Sequence, residues 1–150
     1  MRAVIQRVNS ASVEVDKKII SKINQGLLIF LGIHFSDSEK DLDWLVKKIV
    51  GLRIFSDKNE KMNISISDVD GEILIISQFT LFASTKKGNR PSFLLAAKPE
   101  KAIPLYQLLI DKMEKETSKK IATGIFGADM KILLENDGPV TIIIDSQNLE

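Results

Sequence analysis

"GLLIFLGIHFSDSEKDLDWLVKKIV", residues 26–50, holds two hydrophobic periods in one run, and the change between them decides the fold. Residues 27–33 are so uniformly apolar that they read as a strand covered on both faces, because a half-buried strand alternates. Beyond them Leu42, Leu45, Val46, Ile49 and Val50 recur at the spacing of a buried helical stripe. Ser36, followed three residues on by Glu39, fits a capping box and sets the predicted start of that helix. A doubly covered strand leading into a one-faced helix implies a sheet with a helical layer against it.

Working outward, Ala3, Ile5 and Arg7, then Ala11, Val13 and Val15, alternate with polar neighbours as half-buried strands do. "VDKK" (15–18) supplies a turn and "IISKI" (19–23) the next strand. Downstream, "RIFSDKNEKMNIS" (53–65) predicts a short strand with a polar excursion, and "GEILIIS" (71–77) another strand. "STKKGNRPS" (84–92) is a basic loop by composition. "PEKAIPLYQLLIDKMEK" (99–115) predicts a second helix, with Leu105, Leu108, Leu109 and Met113 on one face. Pro99 suits its first turn, while Pro104 either bends the helix or moves its start downstream. Residues 121–145 read as strand, Gly-rich bend, strand, tight turn and strand, the turn being the hairpin chemistry of Asn136, Asp137 and Gly138. No repeat or linker divides the chain, so the expectation is one α+β domain over residues 1–150, with two helices on one side of the sheet.

Composition narrows the function. With 44% hydrophobic and 27% charged residues the chain is ordinarily globular, and its apolar runs stop well short of the roughly 18 residues of a membrane helix. Gln6 and Arg7 interrupt any signal-peptide pattern, so the expected location is the cytoplasm, away from any membrane. The absence of cysteine removes disulfides, Cys-ligated zinc, iron–sulfur clusters and thiol nucleophiles. Lysine and arginine number 21 against 20 aspartates and glutamates, so any nucleic-acid contact must be local, and Lys86, Lys87 and Arg90 are the candidates.

No Walker loop, G-x-G-x-x-G, H-E-x-x-H or G-x-S-x-G is present. His34, the single histidine, reads as a structural or surface residue, and "DVDGE" (68–72) as a turn lacking the remaining ligands of a calcium loop. No metal or cofactor is expected. That leaves "ISQFTLFAS" (76–84), where Ser77, Gln78 and Thr80 interrupt an apolar strand. They are either the outward positions of an edge strand or a strand end opening into a pocket, where freed backbone N–H groups hold a developing oxyanion.

"MRAVIQRV" (1–8), "SQFTL" (77–81), "RPSF" (90–93) and "NDGPVT" (136–141), in this order, closely resemble the D-aminoacyl-tRNA deacylase family. The resemblance covers essentially the whole chain. It implies a homodimeric three-layer β/β/α fold, acting without a cofactor. The implied reaction is hydrolysis of the ester joining a D-amino acid to the 3′ end of tRNA, with glycine mischarged on alanine tRNA as a further substrate. By the same resemblance, Ser77, Gln78, Phe79 and Thr80 line the catalytic pocket, and the N–H groups around Phe79 and Thr80 hold the carbonyl oxygen. Gly138 and Pro139, joined by a cis bond, would enter the partner subunit's pocket as a chirality filter braced by Arg7. Phe126 and Met130 would lie near the terminal adenosine or the pocket wall. The competing reading is a non-catalytic, homodimeric nucleic-acid-binding accessory protein on the same scaffold, with "SQFTL" as plain sheet.

Overall fold

The computed structural model describes residues 1–148. Its organising element is β1 (Arg2–Val15), whose inward positions follow the alternation Ala3, Ile5 and then Ala11, Val13, Val15. Along one edge β1 pairs antiparallel first with β3 (Gly26–Gly32) and then with β2 (Lys18–Ile23); along the other it pairs with β8 (Lys131–Asp145). Register shifts near Arg7, Asn9 and Val13 mark bulges, and bulges bend a strand. Asp16 and Lys17, both at positive φ, make the tight turn between β1 and β2, where the sequence places one. β3 pairs in parallel with β6 (Glu72–Ser77), and β6 with the short β7 (Ala122–Thr123).

Between the parallel strands lies α1 (Glu39–Val50), and α2 (Pro99–Thr117) packs beside it. Leu27, Ile29 and Leu31 face both helices, together with Ile73 and Ile75 of β6. Leu28, Leu74 and Ile76 face the other way, into a second cluster with Val8, Val13 and Ile23 that contains no helical residue. β3 is therefore covered on both faces, as its apolar run predicts, and both helices lie on one side. Each fully buried Leu or Ile contributes about 1.5–3 kcal/mol.

Four local expectations are corrected. The capping box of α1 is Ser38 with Asp41, whose carboxylate accepts from the Ser38 N–H at 2.9 Å and its hydroxyl at 2.8 Å. Ser36 is unavailable because its hydroxyl bonds His34 Nδ1 at 2.7 Å. Second, α2 starts at Pro99, in the first turn as expected, and runs through Pro104, so the start downstream of Pro104 does not occur. The missing N–H of Pro104 forfeits only one bond, to the Glu100 carbonyl in the first turn, while Ala102, Tyr106, Leu109, Ile110 and Met113 keep a continuous buried stripe. Leu105 and Leu108 are only half-buried.

The third correction concerns "NDGPVT". It is no hairpin: residues 131–145 form one strand that pairs with β1 on both sides of the motif. Asn136 lies opposite Val8 and Thr141 opposite Gln6, so Asp137, Gly138, Pro139 and Val140 bulge out opposite Arg7 alone. The Asn136 side chain closes this bulge by donating to the carbonyls of Arg7 at 2.9 Å and Val140 at 3.1 Å. Residues 53–65 form a small ribbon, β4 (Phe55–Ser56) with β5 (Met62–Ile64), in place of a single strand. Among the described residues, no helix is long and apolar enough to cross a membrane.

The end of β8 and the turn after it tie down the first residues of the chain. Partial burial alone would raise the Asp145 pKa, but the Gln147 N–H at 3.0 Å and the Arg2 guanidinium at 2.7 Å outweigh it and hold the carboxyl below its usual range. Asp41 is likewise lowered, its Ser38 bonds outweighing burial. A carboxyl with a depressed folded pKa binds fewer protons than the unfolded chain, so its stabilisation is complete above about pH 4 and fades as pH falls through the folded value. Asp145→Asn is therefore expected to lower the thermal midpoint at pH 6, with the gap to the parent narrowing as pH falls below about 4. A gap that stays constant across that range would refute the assignment.

Candidate active-site pocket

At the end of β6 the Gln78 N–H makes a last bond to the Leu31 carbonyl at 2.7 Å, and the chain then winds into a 3₁₀ turn, Phe79–Phe82. The first bond inside that turn runs from the Leu81 N–H to the Gln78 carbonyl. The N–H groups of Phe79 and Thr80 precede it and so have no acceptor within the turn. Gly32 lets the turn settle onto β3: a Cβ there would stand 3.1 Å from the Gln78 carbonyl oxygen, Leu81 and the Phe82 ring. The Gln78 side-chain amide donates to the Thr80 hydroxyl, which fixes both side chains. The polar break in "SQFTL" is thus a strand end, and its edge-strand reading does not stand.

Beside the turn is a cavity of about 270 Å³. Its lining includes Ser77, Gln78 and Phe79 at the end of β6, the segment Phe126 to Met130, and Leu31 and Ile76 of the sheet. Gly124 makes room for Met130, since a Cβ there would collide with the Met130 sulfur. Tyr106 reaches in from α2; its hydroxyl donates to the Ile75 carbonyl at 2.8 Å, and its ring meets Phe126 edge-on at 5.8 Å. Burial pushes the Tyr106 pKa up, so the phenol stays neutral and acts as a donor. The carboxylate in the lining, Asp129, pairs with Lys131 at 2.8 Å. Among the described residues no cluster of His, Cys, Asp or Glu could hold a metal ion.

The structure therefore brings together Ser77, Gln78, Phe79, Phe126 and Met130, with Thr80 held to Gln78. Arg7, Gly138 and Pro139 form a separate group at the β8 bulge and do not line this cavity. Arg7 is buried, donates from Nη1 to the Ile54 carbonyl at 2.6 Å, and sets Nε 2.8 Å from the Asp137 carboxylate. That last contact is an ion pair without hydrogen-bond alignment. The Gly138–Pro139 bond is cis, and both residues are exposed. Tyr106 escaped the sequence reading, although the one tyrosine of the chain on a buried helical stripe was the available signal.

Such a pocket, largely apolar with a few directed donors at its rim, suits a neutral ester whose carbonyl oxygen gains charge during attack. The D-Tyr-tRNA(Tyr) deacylase family model matches residues 4–145, a span that contains every residue named in both groups. The chain is 62% identical over 150 residues, the whole of both chains, to a D-aminoacyl-tRNA deacylase of Flavobacterium psychrophilum. To a D-aminoacyl-tRNA deacylase of Thermosipho melanesiensis it is 54% identical over 149 residues, 99% of each chain. Among solved structures, the c-Myc DNA unwinding element binding protein matches at TM-score 0.91 and 42% identity, covering 97% of this chain and 98% of that one. A probable eukaryotic D-amino acid tRNA deacylase shares the fold at TM-score 0.83 and 15% identity, covering 95% of this chain and 97% of its own. With its model matched almost end to end and relatives above half identity along the full length, the chain belongs to the D-Tyr-tRNA(Tyr) deacylase family.

Proposed function

We propose that the protein hydrolyses the ester between a D-amino acid and the 3′ end of tRNA, acting on the cytoplasmic pool of charged tRNA. The observation that carries the mechanism is the Ser77–Thr80 rim, where the Phe79 and Thr80 N–H groups are left over by the 3₁₀ turn beside the cavity. An aminoacyl ester is already activated, so orientation and a preformed oxyanion site suffice without a histidine base. Water attacks the carbonyl carbon, the substrate's own 2′-hydroxyl assisting. The bond to the ribose oxygen breaks, and that oxygen takes up the proton. Thr80, held by Gln78, positions the reacting groups and does not attack.

Chirality requires geometry, because D and L esters carry the same groups. Gly138 and Pro139 are the filter in this reading. They stand away from their own subunit's pocket, so a second copy must supply them. The exposed Leu133 and Ile143, on either side of the bulge, are apolar surface that such a homodimer would cover. Rejection by clash spares an amino acid without a side chain, so glycine on tRNA is a substrate too.

Loss of the ester from D-Tyr-tRNA, L-Tyr-tRNA and Gly-tRNA, measured side by side, tests this. The D and glycyl esters are expected to disappear and the L ester to persist. Thr80→Ala is expected to slow the D reaction roughly tenfold, the scale of one hydrogen bond, whereas an aminoacylated Thr80 peptide would make Thr80 the nucleophile. The name of the 42%-identical solved structure favours a second reading, DNA binding. It predicts that none of the three esters is lost.

A further inference from the structure

Lysine and arginine nearly balance aspartate and glutamate over the whole chain, yet residues 73–99 contain Lys86, Lys87, Arg90 and Lys98 and no acidic residue at all. This segment leaves the pocket at Phe79 and returns to it at Ala97, both of which line the cavity. In between, Ser84 and Ser92 exchange two backbone bonds, at 2.8 and 2.9 Å, and close the basic loop into a hairpin. Lys86, Lys87 and Arg90 stand exposed on it. At its base the Phe79 ring, 57% exposed, meets Phe93 edge-on at 5.1 Å, and the neighbouring Leu94 is 88% exposed.

Exposed aromatic and apolar groups cost free energy unless something covers them. An unpaired ribonucleotide segment does so while matching the charge. Bases stack on aromatic faces whatever their sequence, and phosphates are drawn to lysine and arginine. We infer that Phe79, Phe93 and Leu94, with Lys86, Lys87 and Arg90, form a platform for the unpaired nucleotides immediately 5′ of the acylated adenosine. The inference rests on the deacylase reading for which nucleoside occupies the pocket. It adds a site for the next nucleotides, with the bases on the apolar ridge and their phosphates against the hairpin.

The probes are two non-hydrolysable amides, 3′-D-tyrosylamino-adenosine and the same group on a trinucleotide carrying two preceding cytidines. For the parent protein the trinucleotide is expected to bind about tenfold more tightly, the gain of stacking and phosphate contact. That gain should fall with salt, by a logarithmic slope near 0.7 for each phosphate engaged. The triple variant Lys86→Ala/Lys87→Ala/Arg90→Ala is expected to erase most of the gain and its salt dependence. Phe93→Leu should lose the stacking part and Phe93→Trp keep it. Equal affinity of the parent for both probes overturns the platform, as does a triple variant that weakens both probes by the same factor. Dissociation of a dimer by the triple variant, seen by light scattering, overturns it in favour of a subunit interface. Ester hydrolysis measured separately distinguishes the two failures, since a gain in binding without ester cleavage refutes the deacylase reading and leaves the platform standing.

Discussion

Gly138→Ala is expected to lower kcat/KM for D-Tyr-tRNA about a hundredfold, the cost of misplacing a positioning group by about 1 Å. Gly138 has φ +114, a conformation that costs other residues about 1–3 kcal/mol. A Cβ there would stand 2.9 Å from Val140 Cγ2 and 3.0 Å from Arg7 Nη2. Arg7 cannot yield, because the Ile54 carbonyl and the Asp137 carboxylate hold it from two sides. The bulge must shift instead. Pairing of β8 with β1 continues on both sides of it, so the variant should remain folded while the bulge moves. Single-turnover hydrolysis of D- and L-Tyr-tRNA, beside a thermal melt, separates the two effects. An unchanged D rate and an unchanged preference for D over L would remove the bulge from the reaction.

Gly26→Ala should be the most destabilising single substitution toward alanine among the glycines of the sheet. Gly26 opens β3 opposite Glu72 of β6. Its Cβ would land on the Glu72 carbonyl oxygen and lie 2.7 Å and 2.8 Å from the Glu72 C and N. All three atoms are backbone, so no side chain can rotate away. Relief requires β3 and β6 to part where Leu27 meets Ile73 and Leu28 meets Leu74, all of them buried. Overpacking costs about 1–3 kcal/mol and more when only backbone can give, so a loss of about 3 kcal/mol is expected. In a domain of this size that lowers the thermal midpoint by about 10 °C. Urea unfolding of the same variant gives an independent value, and a change below about 0.5 kcal/mol would mean that the strands part freely.

Both glycines show where sequence reading stops. The doubly covered strand at 27–33 and the stripe at Leu42, Leu45, Val46 and Ile49 were legible because each residue's face follows from its position within a regular period. The "SQFTL" break was legible as an anomaly, polar groups in an apolar strand, and only its two readings remained open. "NDGPVT" misled, because its local chemistry is that of a hairpin. What keeps the chain running straight is the Asn136 amide reaching two carbonyls, one of them on β1, which is far away in sequence. The capping box misled similarly: Ser36 and Ser38 are equivalent by spacing until the His34 ring claims one of them.

By itself, then, the sequence determined the doubly covered strand at 27–33, the buried stripe of α1, the existence of the second helix and, through four ordered motifs, the family. Those follow from local periodicity and short-range chemistry, which the chain carries in its own order. Only the tertiary structure decided that Phe79 and Thr80 head a 3₁₀ turn over a cavity, that Tyr106 closes one side of it, and that Arg7 faces a bulge standing apart from it. Each of these depends on groups far apart in sequence meeting across the sheet, and no spacing along the chain encodes which partner a side chain or a backbone N–H will find.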